Sequence, residues 1–137
     1  MEEKAKSRFS SLDVRAATVE LKPSLVGAHL QNIYDMNSRT YLLKFTKKDA
    51  KVLLLIESGV RIHSTRFDRE NPNVLPSAFA GKLRKHLRER RLTKFEQLGF
   101  DRVVHFEFGH DTRPEQTFHL FLELYAMVHA MCFVSYF

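Results

Sequence analysis

The stretch YLLKFTKKDAKVLLLIESGVRIH, Tyr41 to His63, decides the fold. Within it Tyr41 to Thr46, Val52 to Glu57 and Val60 to His63 are short runs rich in Leu, Ile, Val and aromatic residues, of strand rather than helix length. Lys47-Lys48-Asp49 and Ser58-Gly59 separate them, and both suit turns. With Leu30 to Asp35 in front, set off by Asn37-Ser38, the pattern predicts an antiparallel meander. Val52 to Ile56 does not alternate, which predicts burial on both faces of the sheet.

Toward the N-terminus, Ser10 followed three residues later by Asp13 reads as a capping box, in which hydroxyl and carboxylate each satisfy a backbone donor at a helix start. The helix is expected from Ser11 to about Leu21, with Leu12, Ala16 and Val19 on one face and Pro23 then Gly27 ending it. Toward the C-terminus, the polar segment Arg66 to Pro76, with Asn71-Pro72-Asn73 at its centre, is expected to be a long loop. Pro76-Ser77 opens a second helix, Ser77 as N-cap, with Phe79, Leu83 and Leu87 as its apolar seam. Val103 to Phe108 alternates and predicts a half-buried strand, Gly109 to Pro114 a turn, and Phe118 to Tyr125 a further strand. The expected class is α+β: an antiparallel meander or sandwich with an N-terminal helix and a basic helix.

A length of 137 residues with 44% hydrophobic residues, twelve of them Phe, is enough for one domain with a real core. Cys132 is the single cysteine and cannot form an internal disulfide, and the N-terminus has no charged-then-apolar leader. A cytoplasmic or nuclear location is expected. The most apolar run, Leu120 to Phe137, is interrupted by Glu123, His129 and Ser135, which favours core strands over a membrane anchor.

The net charge of +6 is unevenly distributed. Between Lys82 and Lys94 stand seven bases (Lys82, Arg84, Lys85, Arg88, Arg90, Arg91 and Lys94) against one acid, Glu89; the other fifteen bases and fifteen acids cancel. A charged helix face is ordinarily just solvated, and arginines near a helix C-terminus also suit its dipole. Charges of one sign repel along a helix, however, and a phosphate backbone relieves that repulsion. The segment is therefore read as an exposed basic helix that contacts nucleic acid. No aromatic interleaves the bases, which favours recognition of backbone or shape over base stacking.

Other constellations carry less chemistry. On its own Asp13 reads as a cap residue, and Asp101-Arg102, after Leu98-Gly99-Phe100, reads as surface charge. The seven histidines include no H-x-x-x-H or H-E-x-x-H spacing. A metal site from His105 with Glu107, or His119 with Glu123, is the weaker option beside ordinary half-exposed strand faces. Cys132 lies in an apolar run that raises a thiol's pKa. There is no G-x-S-x-G and no phosphate-cradling glycine loop. Neither an enzyme nor a cofactor or metal is expected.

Ser7-Arg8-Phe9-Ser10-Ser11-Leu12-Asp13-Val14-Arg15-Ala16, Asn32-Ile33-Tyr34-Asp35, Leu54-Leu55-Ile56-Glu57-Ser58-Gly59-Val60-Arg61-Ile62-His63, Arg84-Lys85-His86-Leu87 and Gln97-Leu98-Gly99-Phe100-Asp101-Arg102-Val103-Val104 together resemble the NFACT-N module of the NEMF family. The likeness runs in order from about Lys6 to Ala126. It implies a role in ribosome-associated quality control, in which such proteins hold obstructed large subunits, support a Listerin-type ubiquitin ligase and recruit tRNA for template-free C-terminal tailing. It further implies that Asp13, Asp101 and Arg102 match an Asp and an Asp-Arg pair needed for tailing. The implied partners are tRNA and ribosomal RNA of the large subunit. The fold also resembles the N-terminal domain of formamidopyrimidine-DNA glycosylases, but their N-terminal proline has no counterpart before Pro23, so glycosylase activity is not implied.

The expected organisation is an NFACT-N-like domain over residues 1–126 and a divergent apolar tail over 127–137. Met1 to Lys4 extends the family's usual start, and Met127 to Phe137 departs from its pattern, as in a truncated form. The tail either supplies a strand or leaves an apolar edge open to association. The competing reading is a protein-interaction module, or a competitor of a full-length factor, acting through that tail.

Overall fold

The computed structural model describes residues 9–36, 39–66, 76–109 and 117–124, and the backbone of 131–136. The elements are α1 (Ser11–Leu25), β1 (His29–Asp35), β2 (Thr40–Lys47), β3 (Ala50–Glu57), β4 (Arg61–Thr65), α2 (Ala78–Leu87), β5 (Arg91–Gln97), β6 (Val103–Gly109), β7 (Thr117–Glu123) and β8 (Met131–Tyr136). The strands form one antiparallel sheet in the order β4-β3-β2-β1-β5-β6-β7-β8. The α+β class and the β1–β4 meander are as the sequence predicts. Residues 67–75, the centre of the expected long loop, and residues 110–116, most of the expected turn, lie outside the described residues.

Burial on both faces, expected of Val52 to Ile56, falls on β2 instead. Tyr41 to Phe45 are buried in succession, because β2 is central and covered on both faces. On β3 only Leu54 and Ile56 are fully buried, whereas Leu53 and Leu55 face the other side and are half-buried. The apolar run of β3 therefore does not mean burial on both faces.

α1 starts as predicted. Ser10 Oγ accepts from Asp13 N, and Asp13 Oδ2 accepts from Ser10 N at 2.9 Å. Its length and facing differ from expectation. The core stripe is Val14, Thr18, Leu21 and Leu25, while Leu12, Ala16 and Val19 point to solvent. The helix also passes through Pro23. Proline removes one intrahelical donor, but the final turn still closes through Val26 N→Lys22 O at 3.0 Å, and Lys47 Nζ donates to the carbonyls of Pro23 (3.1 Å) and Val26 (2.9 Å) at the helix end. Gly27, with φ +94°, then ends the helical segment.

α1 touches both β4 and β5, strands four spacings apart in the sheet. On a flat sheet that gap is about 19 Å, wider than a helix of about 10–12 Å, so the sheet curls around α1. The core between them holds Phe45, Phe95, Phe106 and Phe108, all fully buried.

The sheet has a seam between its halves. β1 and β5 share one register pair, His29↔Arg91, flanked by Leu92 N→Ala28 O (2.8 Å) and Leu30 N→Arg90 O (2.9 Å). Past it the strands part, and side chains of the α2 segment reach the β1 carbonyls that β5 does not. β8 pairs along β7 from Thr117↔Tyr136 to Leu122↔Met131. The described part of the apolar tail is thus a strand at the sheet edge.

Candidate nucleic-acid interface

The basic segment is not one helix. α2 begins at its Ser77 cap, whose Oγ accepts from Ala80 N at 3.1 Å, and ends at Leu87. Arg88 is the C-cap, Glu89 takes a left-handed φ of +68°, and β5 begins at Arg91. Lys82, Arg84 and Lys85 therefore lie on the helix, Arg88 and Arg90 in the reversal, and Arg91 and Lys94 on a strand. The reversal lets Leu92 and Phe95 enter the core. A non-glycine residue in the left-handed region leaves no sequence signal, which is why the segment reads as continuous helix. The buried seam of α2 is Ala80, Leu83 and Leu87; Phe79 is half-buried, its ring edge-on to Tyr41 at 6.1 Å.

Several of the bases also hold the fold together. Arg84 Nε donates to the carbonyl of Ile33 at 2.6 Å, with its guanidinium 5.5 Å from the Tyr34 ring centre. Arg88 Nε donates to the carbonyl of Gln31 at 3.2 Å. Arg90 Nε donates to the carbonyl of His86 at 2.7 Å and its guanidinium sits 4.5 Å from the Phe118 ring centre. Burial, and then Lys85, Lys82 and Arg90, pull the His86 pKa down, so the positive field comes from Lys and Arg. Lys82, Lys85, Arg88, Arg91 and Lys94 are exposed, while Arg84 and Arg90 are half-buried. Lys94 lies across from Glu107 in the ladder and helps lower the His105 pKa, so its charge acts beside the β6 ladder rather than on α2.

Asp13 and the Asp101-Arg102 pair, 88 positions apart between Asp13 and Asp101, are carried on elements that one side chain fastens together. Gln97 Nε2 donates to the carbonyls of Ser11 (2.9 Å) and Asp101 (2.8 Å). The first turn of α1 is thereby clasped to the β5–β6 turn. That turn is shaped by Gly99 at φ +57°, by Asp101 N→Leu98 O at 3.0 Å, and by Asp101 Oδ1, which accepts from Arg102 N at 2.8 Å. Asp13 is half-buried and lines an open cleft of about 400 Å³ between α1 and β4, with Phe9, Glu20 and His63 also on its wall. Asp101 is exposed and Arg102 half-buried.

Two features of this corner escape sequence reasoning. Gln97, as one glutamine at a strand end, gives no hint of its two partners. The exposed large apolar side chains among the described residues, Leu12, Val19, Leu98 and Phe100, all lie on α1 and the β5–β6 turn. Phe100 is 84% exposed and adjacent to Asp101; the signal that could have found it is an aromatic beside a glycine in a turn. β5 carries Arg91 at one end and Gln97 at the other, so the basic end and the Asp-Arg corner stand about 20 Å apart.

The histidine strands behave as a pair. His105 Nε2 and His119 Nδ1 are 2.7 Å apart, the rings stack, and His105 stacks on Phe121 with centroids 4.7 Å apart. Thr93 Oγ1 donates to Glu107 Oε2 at 2.7 Å. No group of three or more metal-ligating side chains occurs among the described residues. Cys132 lies on β8, where only the backbone is described.

The family model for NFACT N-terminal and middle domains matches residues 10–129. The chain is 51% identical over 120 residues to the human ribosome quality control complex subunit NEMF, covering 88% of this chain and 11% of that protein. It is 52% identical over 124 residues to the ribosome quality control complex subunit 2 of Schizosaccharomyces pombe, covering 88% and 12%. It thus spans about a ninth of the length of these relatives. Among solved structures, the N-terminal part of the fibronectin/fibrinogen-binding protein of Streptococcus suis superposes with a TM-score of 0.81 at 25% identity, over 93% of this chain and 49% of that one. The N-terminal domain of the fibronectin-binding protein PavA of Streptococcus pneumoniae superposes with a TM-score of 0.79 at 24% identity, over 91% and 49%, a likeness of fold alone.

Proposed function

This chain belongs to the family of NFACT N-terminal and middle domains, and from that premise we propose that it is an RNA-contacting module of a ribosome-associated quality-control factor. The observation that carries the reading is the concentration of the whole positive surplus on α2, the reversal after it and the first half of β5, with three of its guanidinium groups tethered by backbone carbonyls or aromatic rings. Tethered guanidinium groups lose less freedom when they meet a phosphate. Lys82, Arg84, Lys85, Arg88, Arg90, Arg91 and Lys94 supply attraction to the backbone of tRNA or of large-subunit ribosomal RNA.

Selectivity resides at the other end of the strand. Asp13, Asp101 and Arg102 correspond to the family's tailing-linked positions, and the Gln97 clasp unites their elements. Arg102 grips a phosphate or a terminal adenosine, Asp13 and Asp101 accept hydrogen bonds from a ribose, and the exposed Phe100 ring offers a face for a base. The role is positional: peptide-bond formation during tailing belongs to the ribosome, so the chain is not an enzyme. The reading carries with it a cytoplasmic or nuclear location and, for longer family members, support of a Listerin-type ubiquitin ligase.

Titration of labelled tRNA against salt tests this. The logarithm of the binding constant is expected to fall linearly with the logarithm of salt concentration, and Arg88→Ala with Arg91→Ala to flatten the slope by about 1 for each phosphate no longer neutralised. Binding that persists unchanged at high salt and disappears on deleting residues 127–137 would instead favour contact through the tail. That alternative has less support, because one edge of residues 131–136 is taken up by β7.

A further inference from the structure

Four of the five glycines have a reason inside the molecule. Gly27, Gly59 and Gly99 adopt positive φ, and a Cβ on Gly109 would lie 3.1 Å from Thr93 Cγ2. Gly81 has none. It lies within α2 without positive φ, and a Cβ built there meets nothing within 4 Å. Glycine inside a helix weakens it, and here neither backbone conformation nor packing asks for one. What a bare position does provide is close approach from outside.

The surroundings of Gly81 say what approaches. Arg84 and Lys85 follow at i+3 and i+4 on the same helix face, and with Gly81, the C-cap Arg88 and Glu89 they line an open cleft of about 500 Å³. Arg84 and Arg88 are tethered through Nε to Ile33 O and Gln31 O, which occupies one donor of each guanidinium and aims the rest. Among the described residues no carboxylate forms an ion pair with Arg84, Lys85 or Arg88. Glu89, the acid in the lining, follows the C-cap Arg88 and stands eight residues from Gly81 in sequence.

We infer that the Gly81–Arg84–Lys85–Arg88 face of α2 is the seat of a backbone phosphodiester of RNA, with Gly81 admitting the phosphate against the helix and the three bases closing around it. This rests on the RNA-contacting function proposed above and assigns its main backbone contact. Lys94, beside the β6 ladder, and Arg90, held over Phe118, are then peripheral to that contact.

The test uses the full chain and labelled tRNA, with salt titrations of the unaltered protein, Gly81→Leu, Arg88→Gln and Lys51→Gln. Gly81→Leu removes no charge and adds a good helix former in open space, so its melting temperature is expected to equal or exceed that of the unaltered chain. Its tRNA affinity is nevertheless expected to fall roughly tenfold and its salt slope to flatten by about 1, as when one phosphate goes unneutralised. Arg88→Gln is expected to behave likewise, and Lys51→Gln, at an exposed position near the start of β3, to bind as the unaltered chain despite an equal loss of charge. Inorganic pyrophosphate at matched phosphate concentration is expected to leave tRNA bound. Undiminished binding by folded Gly81→Leu and Arg88→Gln would overturn the seat while leaving RNA binding intact. Displacement by pyrophosphate would overturn it in favour of a small-anion site, and absence of tRNA binding by the unaltered chain would remove the proposed function and the seat together.

Discussion

Gln97 Nε2 donates to the carbonyl of Ser11 at 2.9 Å, and the same nitrogen donates to the carbonyl of Asp101 at 2.8 Å. Both neighbours are acceptors, which fixes the orientation of the amide. One side chain at the end of β5 thus holds the first turn of α1 against the turn that carries Asp101 and Arg102.

Replacing that donor tests the clasp. Gln97→Ala is expected to cost about 1–2 kcal/mol by urea denaturation, for two hydrogen bonds at the edge of solvent. Gln97→Glu keeps the shape but faces two carbonyl oxygens with a carboxylate, and is expected to cost more than Gln97→Ala. In a full-length family member both substitutions are expected to reduce tailing, as is a double replacement Asp101→Ala with Arg102→Ala. Full tailing with a detached clasp would show that the corner needs no fastening.

Asp13 has two separable duties. As the N3 residue of the capping box it satisfies the Ser10 amide, and Asp13→Ala is expected to cost about 1 kcal/mol. Asp13→Asn keeps an acceptor for that amide, and loss of the charge at the helix N-terminus is worth about 0.3–1 kcal/mol. If the carboxylate also serves tRNA, both variants lose tailing although only Asp13→Ala loses a full cap. Retention of tailing in Asp13→Asn would show that the carboxylate charge does not serve tRNA.

The His105–His119 pair makes stability depend on pH. Burial first, then the neighbouring His119, with Lys94 adding to it and Glu107 and Glu96 opposing, hold the His105 pKa below the ordinary 6.5. The unfolded chain therefore binds more protons at this site between 6.5 and the lowered value, and stability rises with pH across that window. Its contribution is complete above 6.5 and is lost as pH falls through the folded value. The urea midpoint is expected to be lower at pH 5 than at pH 7.5, and His105→Gln is expected to shrink the difference. A remainder should persist, because the pKa of His86 is lowered in the same direction.

What was legible in the sequence follows from how locally each feature is encoded. The meander, the capping box and the alternation of Val104, Phe106 and Phe108 rest on neighbours a few residues apart, and the structure has them all. β5 was hidden because Lys94 and Arg91 sit on a strand that shares its charge pattern with the preceding helix, and because the reversal at Glu89 uses a non-glycine residue. The seam between β1 and β5 is set by side chains more than fifty positions away, Arg84 on Ile33 and Arg88 on Gln31. No local pattern announces such a contact. The family resemblance points to Asp13, Asp101 and Arg102, but the reason their elements lie together, Gln97, exists only in the folded chain.

The facing of α1 gives the last test, and it turns on two apolar stripes that compete in one helix. Leu12, Ala16 and Val19 keep helical spacing, yet Leu12 is 76% exposed and Val19 66% exposed. The buried stripe, Val14, Thr18, Leu21 and Leu25, includes a threonine and a residue beyond Pro23, so it is weaker in sequence and stronger in packing. Thr18 fits there because its hydroxyl donates to the Arg15 carbonyl at 2.9 Å. Val14→Ala opens a space in a fully buried site and is expected to cost about 2 kcal/mol in denaturation. Leu12→Ser, a more drastic chemical change on the solvent face, is expected to stay within about 0.5 kcal/mol of the unaltered chain. The reverse ranking would mean that the helix turns its other stripe inward, and with it would rotate Asp13 away from the cleft it shares with Phe9 and His63.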